Sequence, residues 1–270
     1  MHVIYLTAIV LGFAYFVFRR RRLSGPRACR SRQPRDTKVH CLMVTRNLPK
    51  RRAYIDASLR NFHDQTLARK HLVIVNQSDT PVSSAPSDAV TEIMLPSDHT
   101  LSLGQVRNLS LEFVPIGALW TTWDDDDWRH ETYLEKLVDA LLEGRLDVVT
   151  IGDRLEYNAM TRFAHVATLT TGFMTFLATN HPRLRYGNAD TLEDVPLKKY
   201  ATSRLRFQTL RLSPTMYLRF SHGDNTSPYV NRRKRGLQDT HRNVSYFERS
   251  LTRGERAYLS DTLRAQYADI

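Results

Sequence analysis

Cysteine is nearly absent. The 270-residue chain has two, Cys29 and Cys41, too few for a disulfide framework. Internal repeats are missing, and low-complexity sequence is confined to a short basic stretch near the amino terminus. Acid is scarce relative to base. The 28 Asp and Glu face 39 Lys and Arg, for a formal net charge of +11. The excess is uneven: Arg19 to Lys38 carry nine basic residues against the single acid Asp36, and "RRKR" runs from Arg232 to Arg235. Such charge raises nucleic-acid binding as a reading, though basic tails also serve membranes and topology. What remains, 41% hydrophobic and 25% charged, fits one globular domain with extensions.

The first eighteen residues, "MHVIYLTAIVLGFAYFVF", hold no charged side chain apart from His2 when protonated. As a helix at ~1.5 Å per residue they reach ~27 Å, slightly short of a ~30 Å hydrocarbon core. Arg19 to Arg22 follow directly. A cleaved signal peptide competes with a membrane anchor here, but it wants its basic residues before the apolar stretch. The observed order favours an anchor with the arginines, and the following domain, on the cytoplasmic side. The chain thus divides into an anchor (1–18), a basic tether (19–37), a main domain (38–230) and a basic, partly helical carboxyl extension (231–270). The sequons "NQS", "NLS", "NTS" and "NVS" are incidental in that topology.

Within the main domain, strands and helices alternate. "VHCLMV" (Val39 to Val44), "HLVIV" (His71 to Val75), "VTEIML" (Val90 to Leu95), "ALWTTW" (Ala118 to Trp123) and "LDVVTI" (Leu146 to Ile151) read as strands. Ile55, Leu59 and Phe62 mark one helical face; Leu134, Leu137, Val138 and Leu141 mark another, and Gly104 to Val114 reads as a third helix. Such alternation predicts a mostly parallel central sheet flanked by helices. Ligands in these sheets bind beyond the carboxyl ends of the strands. That is where "TRN", "NQSD" and "DDDD" fall.

The last of these is the densest signal. "WDDDDW" sets Asp124 to Asp127 between Trp123 and Trp128. An acidic, solvated loop is the plain reading of such a run. Against it stand the apolar strand just before and the two tryptophans. Clustered carboxylates tolerate one another around a hard divalent cation, Mg²⁺ or Mn²⁺, which takes one or two of them and completes its shell with phosphate oxygens.

Strand, "WDDDDW", then amphipathic helix resembles the DxD segment of family 2 glycosyltransferases with the GT-A fold. "LSLGQVRNLSLE" (Leu101 to Glu112) is similar to their "G…RN" helix, and "SLRNFHDQT" (Ser58 to Thr66) before "HLVIVNQSD" to their "S…F..QT…L.IVDDGS" segment. "TLEDVPLKKY" (Thr191 to Tyr200) resembles their acidic acceptor motif. The pieces fall in family order across residues 38–230. The compact, tryptophan-flanked form looks most like small glycosyltransferase-like proteins of large DNA viruses and algae.

The resemblance implies roles. Asp124 and Asp126 would form the DxD pair on a Mn²⁺ or Mg²⁺ ion, Asp124 also lying near the ribose, with Asp127 as a further metal ligand. His222, in "SHGDNTS" after the strand "TMYLRF", would be another ligand or a structural histidine. Thr45, Asn47, Asn76 and Ser78 would face the nucleoside. The family's usual aspartate near Asn76 or Gln77 is missing. Arg107 would reach the nucleotide or form a structural ion pair. Asp194, with Glu193 beside it, would be the general base, or an acid favoured at a helix start.

The implied activity is a membrane-anchored, metal-dependent, inverting transfer of a sugar. The donor would be a nucleotide-sugar (UDP-sugar first, GDP- or dTDP-sugar after it), and the acceptor a glycan, lipid or protein hydroxyl. A non-catalytic glycan- or membrane-binding module of the same fold is the alternative. Nucleic-acid binding ranks last, because the basic residues lie outside the acidic segment.

Overall fold

Every residue of β2 (Val39–Thr45) but Val44 is buried, the signature of a strand covered on both faces rather than one. In the computed structural model, which describes residues 3–5, 37–82, 88–169, 175–222 and 246–267, its side chains alternate between two cores. Val39, Cys41 and Met43 pack with Ile55 and Phe62 of α1 (Arg52–His63) and with Leu134, Leu137, Val138 and Leu141 of α3 (Tyr133–Glu143). Leu42 packs on the opposite side with Val106 and Leu111 of α2 (Leu103–Leu111) and Leu197 and Ala201 of α4 (Asp194–Arg204). The domain is a three-layer α/β arrangement.

Its main sheet runs in the order β1 (Val3–Tyr5), β4 (Val90–Met94), β3 (Lys70–Asn76), β2, β5 (Leu119–Thr122), β10 (Phe176–Thr179), β7 (Val148–Ile151), β11 (Phe207–Leu210). From β1 to β5 all neighbours are parallel. Strand order grows outward from β2 through β4 and then restarts on its other side at β5. That reversal opens a crevice beyond the carboxyl ends of β2 and β5. The far half is mixed, not parallel: β10 runs antiparallel to both β5 and β7.

A second sheet lies outside the sequence-based expectation. β13 (Tyr246–Arg249), β9 (Phe163–Leu169), β8 (Asp153–Asn158), β12 (Tyr217–Ser221) and β6 (Trp128–Arg129) form it in that order, with a β8–β9 antiparallel pair at its centre. Its apolar side packs with Tyr54 and Ala57 of α1 and with Leu259 and Tyr267 of α5 (Arg253–Tyr267). The carboxyl extension is therefore helical at α5 and docks on the main domain; residues 231–245 lie outside the described residues.

Charge is also buried in this sheet. Glu156 accepts from Arg154 Nη2 at 2.6 Å and Nε at 2.9 Å, with Arg219 and His165 within 3.8 Å and 3.6 Å. Burial alone pushes the Glu156 carboxyl up, but the Arg154 and Arg219 charges outweigh it and hold it at about 2. A depressed carboxylate stabilises the fold above its ordinary range and loses that contribution as pH falls through its folded value. Glu156→Ala strands a buried guanidinium, at a cost of about 3–5 kcal/mol. The expected melting loss at pH 7 is roughly 6–20 °C. The gap between variant and wild type should narrow as pH falls from 4.5 toward 2. Equal melting at pH 7 would remove this pair from the fold's support.

The expected membrane-crossing helix over 1–18 is described only at Val3–Tyr5, and there it is β1, pairing in parallel with β4. Val, Ile and Tyr favour strands. The rest of that segment and the tether up to residue 36 lie outside the described residues. Among the described residues no helix is long and apolar enough to cross a membrane.

Candidate active site

The aspartate run follows β5 into a turn, and α1 holds it from beneath. Ser58, Asn61 and Gln65 are 2–3% exposed although polar, because each bonds the backbone of the run or of the residues just after it. Ser58 Oγ donates to the Asp124 carbonyl at 3.2 Å, and Trp123 Nε1 donates back to the Ser58 carbonyl at 3.3 Å. Asn61 clamps Arg129 both ways, at 2.6 Å and 2.9 Å. Gln65 Nε2 donates to the His130 carbonyl and its Oε1 accepts from the Leu134 amide. The "SLRNFHDQ" segment, the end of α1 and the turn after it, thus serves as a cradle for the acidic segment. Trp123 is fully buried under the Arg129 guanidinium, 4.1 Å from its ring.

Each aspartate has its own partner. Burial alternates along the run: Asp125 and Asp127 are 4% exposed, whereas Asp124 and Asp126 are half-buried. Asp124 Oδ1 accepts from Arg107 Nη2 at 3.2 Å. Asp125 accepts from Thr45 Oγ1 at 2.5 Å and from Arg51 Nη2 at 2.5 Å. Asp126 Oδ2 lies 3.2 Å from His222 Nε2 and 3.4 Å from Arg51 Nη2. Asp127 accepts from the Tyr217 hydroxyl and, at 3.0 Å, from the Phe220 amide.

These environments split the carboxyls. Burial and the nearby Asp126 and Asp124 charges push Asp127 up. Burial and Asp126 raise Asp125 despite Arg51. Burial works against Asp126 too, but the His222 bond and the Arg51 charge hold it low. Asp127, expected as a metal ligand, is buried, and both its oxygens accept hydrogen bonds from β12. Arg51 and Asp125 were not anticipated. They meet across 74 residues, and no sequence pattern marks the pair.

Arg107 links this segment to the acidic motif at α4. Besides Asp124, its Nε lies 3.4 Å from Glu193 Oε1, and its guanidinium sits 5.4 Å from the centre of the Tyr186 ring. Asn108 next to it clamps the Tyr186 backbone, Nδ2 to carbonyl at 2.9 Å and Oδ1 from amide at 2.9 Å. Gly104 explains itself here. A Cβ on it would stand 1.7 Å from the Gly187 carbonyl oxygen, so only glycine lets α2 approach the loop that carries Glu193. Burial raises the Glu193 carboxyl against the pull of Arg107. Asp194 is the first residue of α4 and stays half-exposed.

The expected nucleoside-facing residues mostly build the loops themselves. Thr45 is turned to Asp125. Asn76 is fully buried, donating to Glu92 Oε1 and the Thr80 carbonyl, each at 2.8 Å. Asn47 Nδ2 bonds Thr80 and the Pro81 carbonyl. Only Ser78 of the four lines an open cavity of about 390 Å³ at the ends of β2, β3 and β4, with Arg46, Leu48, Gln77, Asp79, Thr80 and Ser97. The Asn76 amide thus ties β3 to the buried Glu92.

Among the described residues no group of three or more His, Cys, Asp and Glu side chains forms a metal cage. Asp126 and His222 nevertheless fit a shared ion as a pair. Two donors at ~2.1 Å on adjacent corners of an octahedron stand ~3 Å apart, against the observed 3.2 Å.

No family model matches the chain, and no curated protein matches it. Solved structures do. S. aureus TarS (residues 1–349) in complex with UDP-GlcNAc superposes with a TM-score of 0.55 at 15% identity, over 70% of this chain and 60% of that one. The same fragment in complex with UDP gives 0.53 at 15% identity, over 73% and 63%. A mannosyltransferase from Pyrobaculum calidifontis in complex with GDP-Man and Mn²⁺ reaches 0.48 at 14% identity, over 67% and 56%. The chain spans less than two thirds of each of these structures. At such identities the likeness concerns the fold, and the chain has the GT-A-like α/β fold of glycosyltransferases such as TarS.

Proposed function

We propose that the chain is a metal-dependent glycosyltransferase that moves a sugar from a nucleotide-sugar to a hydroxyl acceptor with inversion. The observation that carries this reading is the alternation at the switch point of the sheet. Asp124 and Asp126 are the less buried pair of the run, His222 stands beside Asp126, and a cavity opens at the ends of β2, β3 and β4. The cavity would take the nucleoside, with Gln77, Ser78 and Asp79 offering polar atoms to the base or ribose. Asp126 and His222 would hold Mn²⁺ or Mg²⁺, which when bound neutralises the departing diphosphate. Arg107 fixes Asp124 and ties it to the loop before α4. Asp194 would accept the proton of the acceptor hydroxyl.

The test is a panel of UDP-, GDP- and dTDP-sugars incubated with the full chain, with and without Mn²⁺, reading nucleoside diphosphate release. Release from one nucleotide class, lost on adding a chelator, is the expected result. No release and no binding of any nucleotide-sugar would overturn the enzyme reading. Tight binding without turnover would leave a binding module, a reading that Arg51, already seated between Asp125 and Asp126, favours.

A further inference from the structure

The turn that carries Asp125 and Asp126 has no ladder bonds of its own, so groups from elsewhere must fix its peptides. Ser58 fixes Asp124 from α1. At Asp126 the donor comes from the far end of the chain: the Tyr267 hydroxyl, at the last turn of α5, donates to the Asp126 carbonyl at 3.2 Å. That hydroxyl is carried by a ring only 9% exposed and stacked on Phe220, centroids 4.3 Å apart and planes 17° from parallel. Two residues on, His222 is stacked on Tyr54 at 4.5 Å and 15°. Tyr54 in turn touches Phe220 at 5.6 Å. One aromatic cluster therefore holds both members of the Asp126–His222 pair, the turn through a hydroxyl and the imidazole through a ring face.

The helix that supplies Tyr267 is built to stay in place. Thr252 and Glu255 form a reciprocal capping box, Glu255 amide to Thr252 Oγ1 at 3.2 Å and Thr252 amide to Glu255 Oε2 at 2.8 Å. Arg249 pairs with Glu255 at 2.6 Å, and Leu251 and Leu259 are buried against the second sheet. Nothing in the acidic motif itself signals this distant support.

We infer that Tyr267 is a positioning residue for the cation and diphosphate, so that the carboxyl-terminal helix is a working part of the site. The inference rests on the transferase reading above. A side chain aimed by a fixed peptide and a neighbour aimed by a fixed ring meet a cation with little reorganisation. Freeing the Asp126 peptide spreads the carboxylate over more orientations, and the metal must then select one of them.

Tyr267→Phe removes the hydroxyl and keeps the ring. Binding of UDP and of GDP is measured by calorimetry across a Mn²⁺ series, with melting on the same preparation. The half-saturating Mn²⁺ concentration should rise roughly three- to tenfold, the scale of one hydrogen bond. Melting should fall by no more than ~4 °C. Arg264→Ala, on the exposed face of α5 where Arg264 pairs with Asp261, should keep the wild-type Mn²⁺ requirement. A Tyr267→Phe protein that melts lower yet needs no more Mn²⁺ would show a purely structural tyrosine and overturn the inference. Wild-type protein that binds neither nucleotide with Mn²⁺ would overturn the transferase reading and this inference together.

Discussion

Asp126→Asn should abolish sugar transfer, by ~10²–10³-fold or more, and weaken Mn²⁺-dependent nucleotide binding while the protein stays folded. The structure gives the reason for both halves. Asp126 is half-buried where its neighbours Asp125 and Asp127 are 4% exposed, and its Oδ2 faces His222 at 3.2 Å. An asparagine keeps an oxygen for His222 and for Arg51, so the local packing survives. What it lacks is charge, and a neutral amide is a poor ligand for a hard cation. The stability of the run sits elsewhere, in Asp125 with Thr45 and Arg51 and in Asp127 with Tyr217 and the Phe220 amide. Calorimetry with UDP and GDP in Mn²⁺, alongside melting, decides the matter. Unchanged nucleotide affinity would take Asp126 out of the metal site.

The acidic run answers its own oddity through geometry that the sequence shows only in part. A β-turn after a strand makes successive side chains diverge, so four adjacent carboxylates need not share one space. The strand before them and the helix after them were legible because they follow short-range periodicity, whereas the clamps made by Ser58 and Asn61 of α1 and by Gln65 just beyond it were not. Gly104 was visible as a motif glycine, and the Gly187 carbonyl beside it supplies the physical cause.

Other features had no such signal. The reversal of β10 depends on its partners β5 and β7, and four residues are too few to state a direction. The central β8–β9 pair hides because the buried Arg154 and His165 and the half-buried Glu156 break the apolar alternation of a strand. Arg51 and Tyr267 reach the aspartates across 74 and 141 residues. Contacts of that span belong to topology, and topology is what a local reading lacks.

The acidic pair at the start of α4 divides its labour in the structure, and that division makes a sharp experiment. Glu193 is taken up with Arg107, 3.4 Å away and behind Asp124. Asp194 opens the helix at its positive end and remains half-exposed. Asp194→Asn should therefore leave donor and metal binding within about twofold of wild type, because Asp194 is absent from the contacts around Asp124 and Asp126. Transfer to the acceptor should fall by ~10²-fold or more, the usual loss when a positioned proton acceptor is removed. A purely structural Asp194 predicts a different pattern. Losing a carboxylate at a helix start costs about 0.3–1 kcal/mol, so melting would drop a few degrees while turnover per folded molecule stayed intact. Donor affinity, melting temperature and initial rate measured on one preparation separate the two. A rate within a few-fold of wild type would strip Asp194 of the base role, and with it the direct-displacement route to inversion. A large loss of rate with unchanged donor affinity would set Asp194 apart from Asp126, whose replacement removes binding and turnover together.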